Sequence, residues 1–120
     1  MTKFRTVLGL MSGTSLDGID VAAIETDGEN IIRALGHLYV PHDETARSVL
    51  RAALEASQEA QLSDWGSPDT WPEPVRRADL LVSEAHIDAI SRFRASHEVD
   101  FTLIGFHGQT VLHQPEAGIT

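Results

Sequence analysis

Cysteine is absent from the 120 residues of the chain. That excludes a disulfide framework, a thiolate zinc site and a cysteine nucleophile, and it removes any dependence on an oxidising compartment. Long apolar runs are missing too, since no window approaches the roughly 20 consecutive apolar residues that would span a bilayer. The opening stretch MTKFRTVLGLMSGTSLDG runs into glycines and Asp17 where a secretory leader would carry its cleavage pattern. The expectation is a cytoplasmic protein without a membrane partner. Basic residues are scarce and scattered, 9 Lys and Arg against 18 Asp and Glu, for a formal charge of -9. Nucleic-acid binding needs clustered cations that displace backbone counterions, so a nucleic-acid partner is not expected. An acidic protein can still hold a phosphate ligand, through backbone N–H groups and a metal ion.

What is present suffices for one modest core, with 42% apolar residues and a mean hydropathy of -0.12, hence one domain or a piece of one. Residues 4–11 are apolar and partly β-branched and stop at the turn formers Ser12-Gly13-Thr14-Ser15, which predicts a buried strand entering a tight turn. Residues 19–26 place Ile19, Val21 and Ala23 on one face and Ala22 and Ile24 on the other, the pattern of a central strand covered on both sides. Asp27-Gly28-Glu29-Asn30 predicts a hairpin turn. A third strand over 31–40 then completes a meander closed by Pro41. From the N-cap Asp43, the spacing of Ala46, Val49, Leu50, Ala53 and Leu54 predicts an amphipathic helix. Residues 57–74 hold three prolines with Trp65 and Trp71 and read as an irregular, partly packed connection. A second helix over about 76–95 carries Val82, Ala85, Ala89, Ile90 and Phe93 along one stripe, with Arg92 and Arg94 suited to its C-terminal dipole. A short apolar strand over 101–106 follows and leads into His107-Gly108-Gln109-Thr110.

The turn Gly13-Thr14-Ser15-Leu16-Asp17-Gly18 has glycines that let backbone approach a ligand and hydroxyls that can donate to anionic oxygens. Turn chemistry alone favours an ordinary hairpin. A P-loop is excluded, because no Gly-Lys-Ser/Thr stands at the required spacing. A histidine can exchange a proton near neutrality, and His107 stands at the end of what reads as a buried strand, the usual cleft side of such sheets, but a histidine hydrogen-bonding across the following turn is the more frequent outcome. His113 follows it by six residues, which matches no zinc spacing. Asp20 interrupts an apolar strand and needs either a partner or an edge position, so ligand binding and structural pairing stay open. The two tryptophans could stack on a sugar ring, yet in a proline-rich connection packing over a helix is the more frequent outcome.

The block Met11-Ser12-Gly13-Thr14-Ser15-Leu16-Asp17-Gly18-Ile19-Asp20 resembles the N-terminal signature of the anhydro-N-acetylmuramic acid kinases, and Ile104-Gly105-Phe106-His107-Gly108-Gln109-Thr110-Val111 resembles a second block of that family at a compatible distance. The resemblance implies an α/β fold, the N-terminal part of a ribonuclease H-like domain of the actin and hexokinase type: a three-stranded antiparallel meander, then helices and a further strand. Residues 1–120 would be part of the first domain of a two-domain sugar kinase. It also implies ATP-phosphate binding by Gly13, Thr14, Ser15, Leu16, Asp17, Gly18, Ile19 and Asp20, with His107, Gln109 and Thr110 lining the sugar side. The wider superfamily ends its first strand in a metal-organising Asp. Met11 holds that place here, so contact with Mg2+ passes to Asp17, through water.

The reaction so implied opens the 1,6-anhydro bridge with water and moves the γ-phosphoryl group of ATP to O6, giving N-acetylmuramic acid 6-phosphate and ADP. The partners are then ATP and an amino sugar, with a homodimer as the candidate full-length assembly. The family's carboxylate base lies further along than Thr120, so the chain holds no catalytic base and is expected to be an inactive fragment. The alternative is a non-catalytic phosphate- or nucleotide-binding module of the same fold. The sequence stops within what reads as a hairpin, and the apolar surface so exposed predicts weak stability or self-association.

Overall fold

A computed structural model describes residues 3–13 and 15–117. Strand β1 (Arg5–Ser12) pairs antiparallel with β2 (Gly18–Thr26), which pairs antiparallel with β3 (Ile32–Pro41). Helices α1 (Glu44–Glu59) and α2 (Glu73–Ser96) follow. Strand β4 (Leu103–Gln109) then returns parallel to β1, so the sheet order is β3-β2-β1-β4. The expected α/β arrangement of meander, helices and further strand is what forms.

The turn between β2 and β3 closes on Asp27, whose Oδ1 accepts the backbone N–H groups of Glu29, Asn30 and Ile31 at 2.9 to 3.0 Å. Those donors, Ile31 first, hold its carboxyl below the usual range. Gly28 supplies the positive φ of 81°. Asp43 caps α1 as its position predicts, its carboxylate accepting from the Ala46 N–H at 2.7 Å. The proline-rich connection resolves into two single 3-10 turns, Leu62–Trp65 and Pro68–Thr70.

Two cores share α2. Its C-terminal half sets Ala89 and Phe93 against Leu8, Leu10, Ile19, Val21 and Ala23 of the sheet. Its N-terminal half sets Val75, Ala78 and Val82 against Leu50 and Ala53 of α1. Among the described residues only one sheet face is covered, which corrects the expectation for β2. Ile19, Val21 and Ala23 are buried, whereas on the other face Asp20 is exposed and Ala22 and Ile24 are half-buried. Helix α2 packs on the covered face, and α1 packs on α2. The Cα radius of gyration, 16.5 Å, exceeds the roughly 13.6 Å of a compact chain of this length. Met11, Ile32, Leu80, Ile87 and Phe106 are large apolar residues left exposed.

Candidate functional site

The C-terminal ends of β1, β3 and β4 and the start of β2 lie at one end of the sheet. There the chain leaves Ser12 and re-enters at Gly18 through the glycine-rich turn. Thr14 of that turn lies outside the described residues. Leu16 adopts φ 61°, which costs a non-glycine residue about 1–2 kcal/mol. Its side chain is buried among Leu50, Ala53, Val75, Ala78 and Val82, and burying a leucine returns about 1.5–3 kcal/mol. Tertiary packing therefore fixes the shape of the turn. The Leu16 N–H donates to the Gly13 carbonyl at 3.3 Å, and the Asp17 carbonyl accepts the His42 N–H at 2.8 Å.

Of the residues expected to bind ATP, Ser15, Asp17 and Asp20 are exposed, Gly13 is half-buried, and Leu16 and Ile19 point into the cores. Gly18 is buried against β3, with no room for a side chain. Asp20 stands on the open sheet face and pairs with His37 Nε2 at 3.1 Å, both side chains 60% exposed. It is directly across the ladder from Met11. Its charge therefore carries little desolvation cost, and it has the partner that its place in an apolar strand called for. No three His, Asp or Glu side chains converge as a metal site among the described residues. One exposed carboxylate, Asp17, suits a hard cation that takes its other ligands from water and phosphate oxygens.

Strand β4 pairs Leu10 with Phe106 and then Ser12 with Gln109, so three steps along β4 match two along β1. The bulge is made possible by Gly108 at φ 83°. It sets Gln109 beside Ser12, which is fully buried. The Ser12 hydroxyl donates to Gln109 Oε1. Gln109 Nε2 donates to the carbonyls of Gly13 at 3.0 Å and Thr110 at 3.1 Å. His107 is exposed, with Nδ1 3.4 Å from the Gly108 carbonyl. The expectation that it ends a buried strand is corrected: β4 is the edge of the sheet, and its residues from Leu103 to His107 are exposed.

A cleft of about 660 Å³ opens beside this strand end. His107, Gln109 and Thr110 form one wall, and Trp65 and Trp71 form another. The three residues expected on the sugar side are thus brought together. The indole rings are 6.4 Å apart at 58° and pack against the core between the helices, so they serve packing and line the cleft at once. Asp79 and Ser83 of α2 complete the rim. Sequence reasoning passed over both, although each directly follows a residue of the buried stripe, Ala78 and Val82, and so flanks the covered face.

Two buried histidines also escaped notice. His86 is 3% exposed on the α2 stripe, its Nδ1 2.7 Å from the Val82 carbonyl and its ring edge-on to Phe106 at 4.6 Å. His42 is buried beside the turn, and the Nε2 atoms of both find no hydrogen-bond partner among the described residues. Burial pushes both imidazoles below their ordinary pKa, and for His42 the charge of His86 adds to the effect. Both are therefore neutral at neutral pH.

The family profile described as anhydro-N-acetylmuramic acid kinase matches residues 5–120. Among curated relatives, the protein named anhydro-N-acetylmuramic acid kinase of Rhodopseudomonas palustris strain BisB18 is 45% identical over 119 residues, covering 96% of this chain and 31% of its own length. The protein of that name from Bradyrhizobium diazoefficiens is 44% identical with the same coverage. Its namesake from Agrobacterium fabrum strain C58 is 37% identical over 123 residues, covering 100% of this chain and 32% of its own length. The chain thus spans about a third of the length of these relatives, and both the turn and the strand end that lines the cleft fall within the matched residues. It belongs to the anhydro-N-acetylmuramic acid kinase family.

Proposed function

We propose that the chain is the phosphate-binding part of an ATP-dependent kinase that acts on 1,6-anhydro-N-acetylmuramic acid in the bacterial cytoplasm, residues 1–120 contributing to the first of two domains. One observation carries the reading: the glycine-rich turn and a cleft wall meet at the same sheet end, joined by Gln109. Backbone N–H groups and the Ser15 hydroxyl of the turn would receive the phosphates, as an acidic chain requires. Mg2+ would neutralise phosphate charge, held through water by Asp17. His107 and Thr110 would orient the sugar, with the two indoles offering apolar faces to its ring. Water then attacks the anomeric carbon, the anhydro bridge opens, and O6 takes the γ-phosphoryl group to leave ADP. The base that accepts the proton of water comes from outside these 120 residues.

The test is an assay of the full-length protein carrying this chain for ATP-dependent formation of N-acetylmuramic acid 6-phosphate, beside the 120-residue chain alone. Turnover by the first and none by the second is expected. ATP binding without turnover by the full-length protein would favour a non-catalytic module, and turnover by the short chain would place the base within it.

A further inference from the structure

The polar atoms of Gln109 are spent on the phosphate turn. The carbonyls of Gly13 and Thr110 can only accept, so the amide nitrogen must face them, and Oε1 is left for the hydroxyl of Ser12. Ser12 is fully buried and needs that partner. The Gly13 carbonyl also receives the Leu16 N–H, so two donors hold it inward. Released toward the ligand, that oxygen would set its negative end against a phosphate. The bulge at Gly108 exists at the step that brings Gln109 to Ser12.

We propose that Gln109 is a positioning residue of the ATP phosphate turn, acting through Ser12 and the Gly13 carbonyl, and not a group that binds the sugar. This rests on the reading that the turn holds ATP phosphates. In the full-length protein, the Michaelis constants for ATP and for the anhydro sugar are compared with the MgATP dissociation constant from equilibrium dialysis. The variants are Gln109→Glu, which keeps shape and acceptor but loses both N–H donors, Ser12→Ala, and the two combined. Each single change should weaken MgATP binding about tenfold while the sugar constant stays within about twofold. The double variant should lose less than the product of the singles, since both break one network. A rise confined to the sugar constant, or unchanged MgATP binding in both singles, would overturn the proposal. Should Gln109→Glu fail to fold, Ser12→Ala decides alone. A wild-type protein that binds MgATP but phosphorylates no anhydro sugar refutes the substrate reading and leaves the binding comparison valid. One that binds no MgATP refutes both.

Discussion

Replacing Gly18 by alanine tests how tightly the turn is built into the sheet. A Cβ at this position would lie 2.4 Å from the Val40 carbonyl oxygen, 2.7 Å from Pro41 Cα and 2.9 Å from Tyr39 Cε2. The tyrosine ring can swing away, but the other two atoms are backbone of β3, and Gly18 is paired with Pro41 in the ladder. Relief requires the strands to part by most of an ångström at the end that carries the turn. Overpacking of this kind costs about 1–3 kcal/mol, and two backbone partners place it near the upper end. The reduced entropy of the unfolded chain returns about 0.4–1 kcal/mol. The net loss is therefore about 2 kcal/mol, read as a lowered urea midpoint at fixed protein concentration with tryptophan fluorescence as the probe. Asp17, the preceding residue, holds the His42 N–H through its carbonyl, so the MgATP affinity of the full-length protein should fall as well. Gly66→Ala is the control, because its Cβ would find nothing closer than the Ser63 carbonyl at 3.6 Å. A Gly18→Ala protein with the wild-type midpoint and wild-type MgATP affinity would show that β3 does not brace the turn.

Phe93→Ala, at a fully buried site stacked on His97 at 4.3 Å, should cost about 3–5 kcal/mol in urea unfolding; a loss under about 1 kcal/mol would mean the sheet core does not depend on α2. Asp43→Ala removes the cap on the Ala46 N–H and should cost about 1 kcal/mol in the same assay. Asp20→Asn breaks only the exposed pair with His37 and should change stability by less than about 0.5 kcal/mol, so a drop in MgATP affinity in that variant would report on the ligand itself. His42 and His86 resist protonation in the fold below their ordinary value of 6.5. The unfolded chain then binds more protons at mildly acid pH, so stability is complete above about 6.5 and declines below it, by up to about 1.4 kcal/mol per pH unit for each histidine. Urea midpoints at pH 7.5 and 5.5 check this, with His86→Leu expected to flatten the decline and a flat wild-type profile counting against it.

The meander and both helices were legible because their signals are local: the turn former Gly28, the cap Asp43, the apolar spacing from Ala46 to Leu54. The two signature blocks hold the turn and the strand end that Gln109 links. Coverage of the sheet was not legible, since an apolar strand such as β2 reads alike whether one face or both are packed. For the same reason β4 looked buried, although it is an edge. His86 sits within the periodic stripe of α2, but a polar residue there reads as an interruption until the packing of both cores is seen. The role of Gln109 needs the register of two strands far apart in sequence and a bulge between them, which no local pattern encodes. Trp65 and Trp71 were rightly expected to pack, and only the position of β4 shows that the same rings face a cavity.

The clamp on the turn joins residues 97 positions apart, which has a bearing on how the protein is made. The β1–β2–β3 meander is complete in sequence by Pro41, and antiparallel hairpins close in microseconds. A ribosome adding about 5–20 residues per second needs about 3–14 s more to reach Gln109 after Pro41. Throughout that interval the hairpin can exist with its turn unclamped, the Ser12 hydroxyl without its partner and the inner side of β1 open to other strands. The final shape of the turn is thus a late acquisition of the growing chain, delayed until the parallel strand has docked.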